Sequence, residues 1–137
     1  MKKLATTALM FSTILLIGCE SVDHSVPGLT QAAYDSLEVN KMPNNCQKIG
    51  EVTGFDKIKP NERDTDIDTL KEGALNDLKN KAAQMTYGSR PVIQTNGIEI
   101  SCTYNGKSLP CKEDEVRSGR FKARSVTLTA TVFSCSN

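Results

Sequence analysis

The chain has 137 residues, a formal net charge of +1 at neutral pH, no tryptophan and 5% aromatic residues. This length allows one domain with a modest aliphatic core, and the near-neutral charge argues against nucleic-acid binding, which needs a clear basic surplus. Because such a core is small, covalent reinforcement is expected, and the chain contains five cysteines.

The beginning of the chain has the features of a secretory signal. Lys2 and Lys3 precede an apolar run, Leu4–Ile17, that is shorter than the roughly 20 apolar residues needed to span a bilayer. The run leads into the tetrapeptide Leu16-Ile17-Gly18-Cys19. This tetrapeptide resembles the bacterial lipobox, in which the cysteine is acylated and becomes the first residue of the mature protein.

The lipobox resemblance implies that residues 1–18 are a removed signal peptide and that Cys19 carries the acyl chains. Removal of two lysines and no acid changes the net charge from +1 to −1, so membrane attachment would depend on the acyl chains rather than on charge. Glu20 follows the cysteine. An aspartate there would resemble an inner-membrane retention signal, so glutamate favours the periplasmic face of the outer membrane.

Residues 19–44 are predicted to form the lipidated N-terminus and a tether, and residues 45–137 the domain. The tether is rich in Ser, Pro, Gly and Asn with little periodicity, and we expect residues 20–26 to be flexible. The apolar spacing over residues 29–37 is compatible with a short helix.

The first part of the domain predicts a strand and then a long helix. Residues 46–54 are partly β-branched and end in glycine, which is typical of a strand. The apolar residues of the predicted helix recur at the spacing of one helical face; they are Ile67, Leu70, Ala74, Leu75, Leu78, Ala82 and Met85. Gly73 within it should be tolerated at a cost of about 1 kcal/mol relative to alanine.

Strand patterns follow the helix. Residues 92–95 form a short β-branched run, and residues 98–104 and 126–133 alternate between apolar and polar side chains. Asn-Gly dipeptides at 96–97 and 105–106 predict tight turns. The pattern predicts an α+β fold in which one main helix packs on a small, mostly antiparallel sheet.

The cysteines predict a disulfide framework. With Cys19 assigned to lipid, four remain; they are Cys46, Cys102, Cys111 and Cys135. In an exported domain they predict two disulfides, for which three pairings are open. No zinc site is indicated, because there is no Cys-x-x-Cys and the one histidine, His24, lies in the predicted tether.

Three segments of the predicted domain form a recognisable set: Cys46-x-x-Ile49-Gly50-x-Val52-Thr53-Gly54, then Ala74-Leu-Asn76-Asp77-Leu78-Lys-Asn80-Lys-Ala82-Ala83, and the final Phe133-x-Cys135. Together they resemble a family of small proteobacterial lipoproteins of unknown function. The family is similar in fold to the outer-membrane sensor lipoprotein of the Rcs envelope-stress system. The resemblance therefore implies a location and a fold rather than an activity. The chain departs from the family at Thr86–Ser89 and in an apparent hairpin insertion, Tyr104–Cys111.

We predict the pairs Cys102–Cys111 and Cys46–Cys135. The first two cysteines flank the predicted Asn105-Gly106 turn, which brings them together locally. The second pair follows by elimination and from the terminal cysteine that resembles the one in the family.

The sequence shows no residue pattern typical of a catalytic or metal-binding site. A histidine-based triad is not expected, because His24 lies five residues from the predicted anchor. The acidic runs 64–68 and 113–115 are typical of solvated loops or helix starts, and the first lacks the glycine and glutamate of a calcium loop. We therefore predict neither a catalytic site nor a metal or cofactor.

Asn76 and Asn80 lie one turn apart beside the apolar stripe of the predicted helix, although asparagine is a mediocre helix former. We favour the interpretation that they bond to a neighbouring backbone segment. The alternative is that they form the polar rim of a partner-binding site.

The basic residues concentrate at Arg120, Lys122 and Arg124, which would share one side of an extended chain. Such a row could bind lipopolysaccharide phosphates, peptidoglycan carboxylates or an acidic protein surface. Alternatively, it is a solvated strand neutralised by the acids upstream.

The predicted function is therefore non-enzymatic binding by an outer-membrane lipoprotein, in envelope-stress sensing or envelope assembly. The alternative is a small periplasmic inhibitor or immunity lipoprotein that blocks a cell-wall hydrolase with the loop Ser101–Cys111.

Overall fold

The computed structural model describes residues 20–87 and 89–136. The predicted signal peptide, residues 1–18, and the predicted lipidation site, Cys19, lie outside these residues. Within them, no helix is both long enough and apolar enough to cross a membrane.

Three helices and five strands make up the described chain. In order they are α1 (Gln31–Tyr34), β1 (Leu37–Glu38), β2 (Cys46–Lys57), α2 (Ile67–Met85), β3 (Val92–Tyr104), β4 (Lys107–Cys111), α3 (Glu113–Arg117) and β5 (Lys122–Cys135). The strands form one sheet in the order β1-β3-β5-β2, with β4 paired to β3. All pairs are antiparallel except β1 with β3. The predicted α+β class and the mostly antiparallel sheet are confirmed, and the main helix, α2, is one of three.

Helix α2 packs its apolar face on the sheet, and this contact is the centre of the core. Leu70 and Leu78 are fully buried against β5 residues such as Val126 and Val132. Leu75, which belongs to the predicted stripe, is only half-buried at the edge of this cluster. The helix begins at Asp66, whose carboxylate accepts a hydrogen bond from the Thr69 N–H at 2.9 Å.

Two glycines let α2 lie close to β2. A Cβ at Gly54 would overlap the carbonyl oxygen of Ala74, and a Cβ at Gly73 would overlap the carboxylate of Asp56. Gly73 is therefore required where the sequence analysis expected it to be merely tolerated. The helical propensity of alanine cannot help at a site that has no room for its methyl group.

The prediction of a turn at Asn96-Gly97 is wrong. Strand β3 continues through both residues, with a register shift between Thr95 and Gly97 where it pairs with β5. A lone glycine inside a strand often marks such a bulge. The second predicted turn is present: Asn105 (φ 49°) and Gly106 (φ 73°) connect β3 to β4.

The structure contains both disulfides, Cys46–Cys135 and Cys102–Cys111. The first joins residues that face each other in the β2–β5 register, and it ties together two strands at the end of the sheet. The second links β3 to β4 beside their turn.

Part of the segment predicted as a tether, residues 19–44, lies on the domain. It contains α1, which packs on α2, and β1, which pairs with β3. The folded region therefore starts before residue 45. Elements of four and two residues are too short to produce a hydrophobic period, which explains why the sequence pattern does not reveal them.

Candidate functional site

The predicted basic row does not form three free cations along one strand. Lys122 and Arg124 lie in β5, whereas Arg120 lies in the bend before it. Both strand cations contact one carboxylate: the Lys122 ammonium is 2.9 Å from Asp64 Oδ2, and Arg124 Nη1 is 2.8 Å from Asp64 Oδ1. Arg120 Nη1 is 3.7 Å from Glu115 Oε1.

Asp64 balances two cations with one negative charge. The hydrogen bond from Lys122, helped by Arg124, lowers the pKa of the Asp64 carboxyl below its ordinary value. This carboxylate therefore stays ionised at neutral pH. The pair of cations retains one excess positive charge at the start of β5.

A cleft of about 500 Å³ opens beside these residues, between the chain before α2, helix α3 and the start of β5. On its far side Arg117 donates two hydrogen bonds to Asp68, at 3.1 and 2.6 Å, and further bonds to Glu113. These bonds lower the pKa values of the Asp68 and Glu113 carboxyls and raise that of Arg117. Ile67 and Phe121 contribute apolar surface to the cleft.

The acidic run at 64–68 is thus divided among three separate tasks. Asp64 pairs with the strand cations, Asp66 caps α2, and Asp68 pairs with Arg117. In the described parts of the chain, no three histidine, cysteine or carboxylate side chains converge as metal ligands. The second acidic run, which was expected in a loop or at a helix start, forms most of the short helix α3.

Asn76 and Asn80 bind the backbone of the N-terminal segment. Asn76 Nδ2 donates to the Pro27 carbonyl at 2.9 Å, and Asn80 Nδ2 donates to the Gly28 carbonyl at 2.9 Å. Asn80 Oδ1 also accepts from the Thr30 N–H at 2.8 Å. These contacts match the favoured interpretation, in which the amides hold a neighbouring part of the same chain.

His24 lies between two carboxylates, in a cluster that the sequence analysis did not find. Its Nδ1 is 2.7 Å from Glu62 Oε2, and its Nε2 is 2.7 Å from Asp56 Oδ2. The side chains of the three residues are 2%, 4% and 8% exposed for His24, Glu62 and Asp56 respectively. The expectation that His24 is mobile in a tether is therefore wrong.

The surroundings of His24 favour its charged form. Burial alone would lower the pKa of His24, but its hydrogen bonds to Glu62 and Asp56 outweigh that effect and raise the pKa above 6.5. The Lys59 backbone N–H and His24 together lower the pKa of Glu62 to about 2. Because both ring nitrogens are bonded to carboxylates, neither is free to accept a proton from a substrate.

Comparison with protein-family models, curated proteins and solved structures gives no match to this chain.

The hairpin Ser101–Cys111 is built into the sheet. Its first strand stays paired with β5 as far as Thr103, which lies opposite Lys122. Tyr104 packs edge-on against Phe121, with ring centres 5.5 Å apart. The short turn at Asn105-Gly106 extends beyond the last pair of the two strands, Tyr104 and Lys107.

One signal in the sequence pointed to the His24 cluster. In β2, Val52, Gly54 and Asp56 alternate with exposed residues, and Ile58 continues the alternation just after the strand, which places Asp56 on the buried face. A buried carboxylate needs a partner. The identity of that partner is not encoded locally, because His24 is 32 residues away along the chain.

Proposed function

We propose that this protein is a non-enzymatic lipoprotein of the periplasmic face of the outer membrane that binds an anionic envelope component through the start of β5. The main observation behind this contact surface is that Lys122 and Arg124 both pair with one carboxylate, Asp64. The anchor in this proposal rests on the lipobox-like Leu16–Cys19, and the resemblance to small proteobacterial lipoproteins supports the same location.

The excess positive charge favours an anionic partner. The side chains of Lys122 and Arg120 are 76% and 70% exposed. Ion pairs at such exposure contribute about 0–1 kcal/mol, so a phosphate or carboxylate of a partner can replace Asp64 at little cost. Lipopolysaccharide phosphates, peptidoglycan carboxylates and an acidic protein surface all have the required chemistry. Binding any of them would suit a role in envelope-stress sensing or envelope assembly.

The state of the titratable groups supports binding rather than acid–base catalysis. A general acid needs a pKa near the working pH, which for a carboxyl means a raised value. The carboxyls of Asp64, Asp68 and Glu113 have lowered pKa values instead, and both nitrogens of His24 are engaged.

The test compares the binding of envelope components by the wild type and by the triple variant Arg120→Gln/Lys122→Gln/Arg124→Gln. Purified lipopolysaccharide, peptidoglycan sacculi and in-cell crosslinking provide three separate measurements of binding by the wild type. We expect one of them to show binding that weakens steeply with salt, because screening acts over about 8 Å at physiological ionic strength. The triple variant should lose that binding.

The matched control is Lys41→Gln/Lys48→Gln/Lys81→Gln, which removes the same charge from exposed positions away from the start of β5. It should bind like the wild type. If both triple variants bind equally well, the start of β5 is a solvated surface and the proposed contact is wrong.

The second candidate is an inhibitor or immunity lipoprotein that blocks a cell-wall hydrolase. The disulfide Cys102–Cys111 favours it, because a braced hairpin loses little entropy when it enters a cleft. The test is the double variant Tyr104→Ser/Asn105→Ser, which changes two exposed side chains at the end of the hairpin and keeps Gly106. It should abolish hydrolase inhibition. If this variant loses hydrolase inhibition but still binds envelope anions, the result distinguishes the second candidate function from the first.

A further inference from the structure

Residues 22–30, called the N-terminal strap below, are held on the domain by three groups of contacts. Val22 donates to the Asn61 carbonyl at 2.9 Å and accepts from the Arg63 N–H at 2.8 Å. His24 lies between Asp56 and Glu62. The amides of α2 described above bind the backbone at the far end of the strap.

His24 is the contact in this set whose charge can change near neutral pH. As an imidazolium it donates from both ring nitrogens, one to each carboxylate. As a neutral imidazole it has a single N–H, so one buried carboxylate would face a nitrogen lone pair. Each carboxylate keeps one backbone donor, the Lys57 N–H for Asp56 and the Lys59 N–H for Glu62. The loss of a bond from His24 to one of them still weakens the contact, because hydrogen bonds to buried charged groups are among the stronger ones.

We propose that the first part of the N-terminal strap is a pH-dependent latch, in which protonated His24 holds residues 22–26 on the domain and deprotonation releases them as far as the Asn76 contact at Pro27. Helix α1 and strand β1 stay in place, because β1 pairs with β3 and the Asp35 carbonyl accepts a 2.6 Å hydrogen bond from Arg90. These contacts do not involve His24.

The groups around His24 set the direction of the switch. Asp56 faces it from β2 and Glu62 from the following loop, where the Lys59 ammonium is 3.5 Å from Glu62. Helix α2 presents Gly73, which has no side chain, to the Asp56 carboxylate. Since the pKa of His24 is raised, the latch is fully closed below about pH 6.5 and opens as the pH rises through the raised value.

The latch would set the distance between the domain and a membrane, and this consequence alone rests on the proposed function. With the strap bound, Glu20 and Ser21 separate Cys19 from Val22, a span of about 10 Å at most. With residues 22–26 released and Pro27 still bound to Asn76, the same anchor reaches up to about 28 Å. Alkaline conditions would thus let the domain move away from the membrane surface.

The test is amide hydrogen exchange of the processed protein purified from cells, between pH 5.5 and 9.5, corrected for the intrinsic exchange rate. The reporters are the N–H groups of Val22 and Arg63, which are bonded across the strap. We expect both to lose protection as the pH rises, while β5 amides such as Val132 stay protected. In His24→Gln, both should exchange at least about tenfold faster at pH 6 than in the wild type.

The matched control is Ser25→Ala, which changes the exposed side chain next to His24 and leaves every charge in place. It should keep the wild-type exchange profile. Asn76→Ala should weaken the strap without removing its dependence on pH. Constant protection of Val22 in the wild type across this pH range would overturn the latch, even if His24→Gln proved too unstable to measure.

Failure of the membrane anchor would give a different result. In that case the exchange profile would still depend on pH, but a fluorescence distance between the domain and lipid vesicles would not change with pH.

Discussion

At the residue scale, the most constrained positions are buried charged side chains and the glycines that leave room for them. Asp56 is the meeting point of both effects. Its carboxylate bonds to His24, and Gly73 leaves the space that the carboxylate occupies. A buried carboxylate without its partner is strongly destabilising, so the geometry of these three residues is interdependent.

The first prediction concerns Gly73→Ala. By propensity alone this change would stabilise α2 by about 1 kcal/mol. The added methyl group would instead displace Asp56, and we expect a net loss of about 1–3 kcal/mol in the free energy of unfolding, measured in urea. Gly97→Ala is the control, because nothing lies within 4 Å of its added Cβ. Equal midpoints for the two variants would contradict the prediction.

At the element scale, α2 and the disulfides provide most of the organisation. Helix α2 covers β2 and β5 with its apolar face and binds the N-terminal strap with its asparagines. The side chains of Lys81 and Asp77 also bond to the Thr53 carbonyl and the Phe55 N–H of strand β2. This strand is last in the sheet order, so α2 satisfies part of an otherwise open edge.

The second prediction compares positions along α2. Leu78→Ala should cost about 2–5 kcal/mol, because the side chain is fully buried. Leu75→Ala should cost less, because that side chain is half-buried at the edge of the core. Gln84→Ala, at an exposed position of the same helix, should stay within about 0.5 kcal/mol of the wild type. If urea melts show equal losses of stability for Gln84→Ala and Leu78→Ala, the core-facing side of α2 is misassigned.

The third prediction compares the disulfides. In the loop-entropy description, the bridge spanning 89 residues is worth about 4–5 kcal/mol and the one spanning 9 residues about 2.5–3. Cys46→Ser/Cys135→Ser should therefore lower the unfolding midpoint more than Cys102→Ser/Cys111→Ser. The opposite order in denaturant melts would mean that strain or residual structure dominates over chain entropy.

At the scale of the whole molecule, the described chain is one sheet with helix α2 packed on it and with its N-terminal strap bound beside that helix. The Cys46–Cys135 bridge, the β2–β5 pairing and the α2 contact all join distant parts of the sequence. The strap and the charged start of β5 meet at one loop, because Arg63 bonds to Val22 and the next residue, Asp64, pairs with Lys122 and Arg124.

The fourth prediction concerns the anchor. Wild-type protein grown with labelled palmitate should incorporate it and fractionate with the outer membrane, whereas Cys19→Ala should do neither. Ser21→Ala, two residues further on, is the control and should be processed normally. Absence of label from the wild type would contradict the lipoprotein proposal. Label with inner-membrane fractionation would contradict only the sorting inferred from Glu20.

The features that depend on neighbouring residues could be predicted from the sequence. The stripe from Ile67 to Met85 predicted α2, alternation predicted the long strands, and the Asn105-Gly106 turn placed Cys102 near Cys111. Each of these signals is a local period or a turn, and each is visible within a window of about 20 residues. The α+β class and the pair Cys102–Cys111 followed from them, whereas Cys46–Cys135 was predicted by elimination and from the family resemblance.

The pairing of side chains that are distant in the sequence depends on the folded chain and could not be predicted. His24 joins Glu62 across 38 residues, Asn80 joins Gly28 across 52, and Arg124 joins Asp64 across 60. A hydrophobic period shows which face of an element is buried, but it does not specify which charged or polar group from elsewhere will lie against that face. Such pairs form only after packing has excluded water and made an unpaired polar group costly.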